Sequence, residues 1–266
     1  MRDFRPRKVD SRYLWHLMPM DRAAKLETFL EGGLWLSRID TFGPIKLTKE
    51  GELPRRNIGL LEKMPSFMVE WVERQYELAV LRSYASCWSK GDHTPSEDLW
   101  DSSFGGNGNG IAICTTPEEI SAATDAITSK DGNGPVYFGS VDYIDHSTHQ
   151  IPEGNTLYAA FAIKSGYSAE NEARVLIHSY GANAVKYLLY TAGLYGPLVM
   201  HLSSAQSSSG EREFSGGHQD GKAIVIKINK QQFIHKIVFG KSVNPEDRNR
   251  VTKLIAKYGL ESKITD

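Results

Sequence analysis

Three charged side chains in one short stretch have the types and spacing to do chemistry together. Residues 164–177 read KSGYSAENEARVLI and centre on Glu170, Glu172 and Arg174. In an extended strand, alternate side chains share a face, about 7 Å apart. Ala173, Val175 and Ile177 then form a packing face. Glu170, Glu172 and Arg174 project from the opposite face, followed by Leu176. The leucine implies that this second face is partly covered. Two carboxylates beside a guanidinium act strongly on developing charge when the local dielectric is low. The same arrangement also serves as a structural ion-pair row that anchors a neighbouring loop.

The elements ahead of this stretch must bring further groups to it. Residues 13–18 form a short strand ended by Pro19, with His16 on the face of Leu14 and Met18. Asp21 is placed to cap a following helix whose apolar positions are Ala23, Leu26, Phe29 and Leu30. Gly32-Gly33 stops that helix. A second strand over 34–39 carries Ser37. The chain therefore opens strand–helix–strand, and His16 and Ser37 are candidates to converge on one cleft. A histidine among apolar neighbours is equally a common core residue.

The rest of the chain reads as alternating elements. A loop spans 41–57, marked by Gly43-Pro44, Gly51 and Pro54. A helix over 66–83 buries Met68, Trp71 or Val72, Tyr76 and Ala79. Strands follow at 84–89 and 111–115. A helical turn around Asp98–Asp101 and a glycine-rich turn at 105–110 lie between them. That turn lacks the GxGxxG spacing and has no P-loop lysine. Pro117 opens a helix with Glu118 and Glu119 in its first turn. A strand covers 136–144, and 156–164 is a strand or short helix. A helix over 183–192 precedes a Ser/Gly-rich segment at 203–221, expected to be a mobile loop. Strands at 222–229 and 234–239 lead to a closing helix over 245–258.

Composition narrows the class. With 266 residues, 40% hydrophobic and 24% charged, the chain reads as one α+β globular domain. Its net charge of −1 gives no global field to draw nucleic acid. The basic residues Arg2, Arg5, Arg7, Lys8 and Arg12 form an amino-terminal arm over 1–12. Cys87 and Cys114 are too few for a disulfide framework and point to a reducing compartment. No run approaches the roughly 20 apolar residues of a membrane span. The expectation is a cytoplasmic protein with no membrane partner. His146 and His149 lie in a loop and lack the companion ligands of a metal site, so no metal is expected.

Several blocks in order resemble the domain-of-unknown-function family 2971. They are LWHLMP, LWLSRIDTF, SCWS, LWDSSFGGNGNGIAI, KSGYSAENEARVLI and IVFGKSVNPEDRNRVTKLI. The chain departs from the family pattern at Ile39-Asp40-Thr41, at Tyr167 and at Ala173. More distantly, a strand histidine, a helix, a Leu-x-Leu-Ser strand and a later Glu-x-Glu strand are similar to ADP-ribosyltransferases. That resemblance implies a single α+β domain with a mixed, largely antiparallel split sheet flanked by helices. It implies NAD as the substrate, split at the nicotinamide bond, with ADP-ribose passing to a protein or nucleic-acid acceptor.

Carried over by position, His16 would contact the NAD ribose and Ser37 would support the cleft. Glu172 would be the catalytic carboxylate, steadying an oxocarbenium-like ribose. Glu170 would orient the acceptor. Arg174 would hold Glu172 or meet a phosphate. Trp100, Trp88 and Tyr167 are candidates for the aromatic platform under nicotinamide. The rival reading is a non-catalytic nucleotide- or protein-binding module in bacterial antiviral defence or a toxin–antitoxin pair. A metal-using hydrolase built on the acidic pair is a third.

Overall fold

The computed structural model of the chain describes residues 6–39, 66, 83–101, 107–128, 136–145, 148–149, 158–178 and 223–265. The expected loops at 41–57 and 203–221 and the helix at 183–192 lie outside these residues. So does the helix expected over 66–83, apart from its two ends.

The opening strand β1 runs Leu14–Pro19 and is buried on both faces. Helix α1, Ala23–Glu31, turns Leu26, Phe29 and Leu30 inward at helical spacing. Its cap position is Arg22, with no side-chain cap bond, so Asp21 does not take the expected role. Gly32 ends it at φ 98°, with its N–H on the carbonyls of Thr28 and Phe29. A Cβ there would meet the Ile228 carbonyl at 2.9 Å, so glycine serves both the left-handed turn and the close approach. Strand β2 follows at Gly33–Arg38.

Strand β3, Ser83–Lys90, is the longest among the described residues. The short helix α2, Glu97–Asp101, and strand β4, Gly110–Thr115, come next. Between them Asn107 and Gly108 take positive φ. Helix α3, Pro117–Thr128, starts on proline with two acids in its first turn. Thr116 Oγ1 accepts the Glu119 N–H there. The strand expected over 136–144 is two, β5 Val136–Ser140 and β6 Asp142–Ile144. Strand β7, Ala162–Lys164, is preceded by a 3-10 turn at Tyr158–Ala160. Strand β8, Glu172–His178, and β9, Ala223–Lys227, follow. A short helix not foreseen from the sequence, α4 Lys230–Phe233, leads into β10, Lys236–Phe239. Helix α5, Pro245–Lys257, closes the fold, with Asn244 Oδ1 accepting the Asp247 N–H at 2.8 Å.

Among the described residues, eight strands form one sheet in the order β10-β4-β1-β3-β2-β9, with β8 on the far edge of β3 and β5 outside it. All the strand pairings in this sheet are antiparallel; β6 and β7 make a separate parallel pair. The mixed α+β class and the largely antiparallel sheet flanked by helices agree with the sequence.

The sheet forks at β3. Strand β1 meets it only at Leu14↔Lys90 and Trp15↔Ser89. Strand β2 meets the same edge at Ser37↔Ala85 and Arg38↔Tyr84. Ser86, Cys87 and Trp88 face the opening between these contacts. One branch continues as β1-β4-β10, the other as β2-β9. The main core fills the face within the fork and is covered by α1, α3, α4 and α5 through Phe29, Ile120, Phe233 and Val251. The other face is covered in two places, by Trp100 over the β1-β4 branch and by Phe161 over β3 and β8.

The described part of the basic amino-terminal arm lies along the sheet. Arg7 makes an antiparallel bridge to Ser140, whose N–H donates to the Arg7 carbonyl at 2.8 Å. Arg7 also pairs with Asp142 at 3.3 Å, and the Arg12 N–H donates to Asp92.

Candidate functional site

Strand β8 begins at Glu172. Residues Ser165–Glu170 form a 3-10 turn, and Asn171 follows at φ 43°. A left-handed residue breaks the two-residue alternation of a strand. The expectation of Glu170, Glu172 and Arg174 in one extended row is therefore corrected: Glu170 ends the turn, buried, and only Glu172 and Arg174 share a strand face. Asn171 is locked to β3 from both sides. Its carbonyl accepts the Lys90 N–H at 2.8 Å and its amide donates to the Lys90 carbonyl at 3.1 Å.

Glu172 and Arg174 form a two-pronged ion pair. Arg174 Nε donates to Oε1 at 2.6 Å and Nη2 to Oε2 at 3.2 Å. The two side chains are 0% and 2% exposed. The third guanidinium nitrogen, Nη1, donates to the Ala160 carbonyl. Burial alone would lower the Arg174 pKa; the Glu172 carboxylate, together with Cys87 and Tyr143, outweighs it and holds it above the ordinary arginine value. Tyr143 completes the group. Its hydroxyl accepts the Glu172 N–H at 2.6 Å, and burial raises its pKa. The cluster ties β8 to the segments carrying Tyr143 and Ala160.

His16 lies on the other side of the sheet. Strand pairing puts Ser89 opposite Glu172, and Trp88 opposite Ala173. Trp88 is on the face within the fork, where its ring centroid lies 5.1 Å from that of His16. Phe29 packs on the same imidazole, also at 5.1 Å. His16 Nδ1 is 2.7 Å from the Cys87 carbonyl, which makes Nδ1 the protonated nitrogen of the neutral ring. Its Nε2 is buried with no partner among the described residues. Burial, then the Lys25 charge, push the His16 pKa well below its ordinary value. The expected convergence of His16 and Glu172 on one cavity does not occur, because neighbouring residues of β3 point to opposite faces.

The remaining candidates are dispersed. Ser37 shares the Glu172 face through its pairing with Ala85. Ala85 and Ser89 are four residues apart along β3, about 13 Å. Ser37 Oγ accepts the Trp35 indole N–H at 2.9 Å. Trp100 is buried against Trp15, Leu17 and Cys114 on that same face, but over the β1 branch. Trp88 is a core residue, 1% exposed, and Tyr167 is half-buried on the turn before Glu170.

His149 bonds the Tyr158 hydroxyl at 3.0 Å; His146 lies outside the described residues. Among the described residues, no three His, Cys, Asp or Glu side chains are gathered in a metal-ligand set. Nor is any helix long and apolar enough to cross a membrane. Both cysteines are free thiols. Burial pushes the Cys114 pKa up to about 12.

Sequence reasoning missed two members of these clusters. Tyr143 gave no signal, since its role depends on β6 folding back over β8. Lys25 did leave one. It stands four residues before Phe29, hence on the same helix face above His16. The residue is half-buried, and burial of its amine lowers its pKa to about 8; Cys87 opposes that and Arg22 adds to it.

The fold and the cluster thus define a class: an α+β protein with a forked antiparallel sheet and, on one face, a buried glutamate–arginine pair joined by a half-buried tyrosine. No protein-family model, curated protein or solved structure matches the chain.

Proposed function

We propose that the protein is a non-catalytic binding module, working in the cytoplasm in bacterial antiviral defence or as one half of a toxin–antitoxin pair. The observation that carries this reading is the state of Glu172. A carboxylate that must steady a developing cation needs its lone pairs aimed at the reacting group. Both oxygens of Glu172 are instead engaged by a buried guanidinium. The imidazole that would meet the same ligand is on the far face. The partner is a nucleotide or a protein. Calorimetry of the whole chain with NAD, ADP-ribose and ATP tests the nucleotide arm. Binding without nicotinamide release supports the module; release of nicotinamide in step with added enzyme overturns it.

The second reading is the NAD-consuming ADP-ribosyltransferase, modifying a protein or nucleic acid. The forked sheet favours it, since a split sheet is the architecture the resemblance implies. Ser37 and Glu172 would serve it from one face, with Glu170 on the adjoining turn, Trp100 over the β1 branch and His16 left out. In that case nicotinamide release is measurable and Glu172→Gln abolishes it while the variant stays folded.

A further inference from the structure

The amino-terminal arm sits on the sheet as a bound peptide would. Strand β5 pairs with β8 on one side, and on its other side the arm adds to it at Ser140. Ser140 gives its N–H to the Arg7 carbonyl at 2.8 Å and its hydroxyl to the Lys8 carbonyl at 3.3 Å. Side chains then engage in a fixed order. Arg7 meets Asp142 at 3.3 Å, Val9 enters the main core at 9% exposure, and Asp10 meets Lys90 at 3.5 Å. Lys90 is itself held by Ser140 Oγ at 3.2 Å. Gly139 completes the seat, because a Cβ there would strike Pro6. Backbone pairing plus one cationic, one apolar and one acidic contact is how a sheet edge reads an extended chain.

The arm is lightly held. Its Arg7 and Asp10 side chains are 74% and 86% exposed, and ion pairs so open to water contribute little. Within residues 7–10, Val9 is the buried one. We propose that the arm is an exchangeable strap, and that its seat beside β5 takes an extended segment of a partner protein carrying basic, apolar and acidic residues in the same order. The strap then regulates binding. A partner must displace a tethered segment present at roughly millimolar effective concentration. The seat uses neither Glu172 nor Arg174, so it stands or falls apart from the reading given for that pair.

The test uses the arm's own sequence in trans, as a fluorescein-labelled peptide of residues 6–12, PRKVDSR. Anisotropy measures its binding to the full chain and to two full-length variants with a weakened arm, Val9→Asp and Arg7→Glu. Arg7 is exposed, so Arg7→Glu keeps the comparison open should Val9→Asp fail to fold. The variants are expected to bind the peptide at least about ten-fold more tightly than the parent. The same peptide carrying Val9→Asp should bind at least about five-fold more weakly. Amide NMR shifts should centre on Gly139, Ser140 and Asp142. Light scattering should show monomers throughout; a dimer formed by exchanged arms overturns the assignment to a separate partner. Equal affinity of parent and variants, no binding by any of them, or shifts centred elsewhere overturns the seat.

Discussion

Arg174 holds both carboxylate oxygens of Glu172, from the same strand face two residues away, with neither side chain open to solvent. A buried pair of this kind tolerates joint replacement better than the loss of one member. Arg174→Met leaves the Glu172 charge buried and unpaired, and a loss of about 3–5 kcal/mol is expected. The double variant Glu172→Leu with Arg174→Met should regain most of that. Urea unfolding of the three proteins measures the difference. A single variant as stable as the parent would show that the pair is solvated in solution.

His16 makes stability depend on acid. Its folded pKa is depressed, so the unfolded chain takes up the proton first as pH falls below about 6.5. Stability is unaffected by this group above that pH. It declines as pH drops from about 6.5 toward the lower folded value. Protonation would add a buried charge facing Lys25. In His16→Gln this component of the decline should vanish. Unfolding free energies of both proteins between about pH 7 and pH 4 provide the comparison, and parallel curves would count against it.

Lys25 is a charge placed at a cost. Its pKa is lowered to about 8 from 10.5, so between those values the unfolded state binds more protons and stability rises with pH. Trace acetylation followed by peptide mapping should show the Lys25 amine reacting with a midpoint near 8. Exposed lysines should react with a midpoint near 10.4. Lys25→Met removes a half-buried cation with no acid partner among the described residues. It should raise the melting temperature at neutral pH, whereas a fall would mean that the ammonium finds an anion in solution.

Gly139 is one of the points where the amino-terminal arm touches the sheet. A Cβ there would meet Pro6 Cβ at 2.5 Å and the Arg7 carbonyl at 2.6 Å. Backbone contacts of this kind do not yield cheaply, so Gly139→Ala should displace the arm at a cost of about 1–3 kcal/mol. Limited proteolysis reads it directly: cleavage within the first twelve residues should speed up, while β3 stays protected. Unchanged cleavage would show that the arm detaches readily even in the parent protein.

Local structure was largely legible from the chain, and its assembly was not. Pro117, Asn244-Pro245 and Gly32 mark helix ends through chemistry that depends only on near neighbours. The strands carrying His16 and Glu172 stand out by their bulky and β-branched content. Which face each residue takes relative to a distant strand depends on register. Pairing Ser89 rather than Trp88 with Glu172 inverts the site, and nothing near either residue encodes that choice. Asn171 is the exception. An asparagine between two acids is a residue type that enters the left-handed region readily, and that local fact separates Glu170 from Glu172.

The fork also dictates an order of assembly. Among the described residues, β1 finds its neighbours in β3 and β4, and β2 finds its own in β3 and β9. Every one of these partners is synthesised later. A chain leaving the ribosome therefore carries two apolar strands with bare hydrogen-bonding edges until Ser83–Lys90 emerges to join them, and β2 keeps an open flank until nearly the end. Such late, long-range closure makes for slow folding. Apolar strands with unpaired edges are prone to aggregate for as long as they wait.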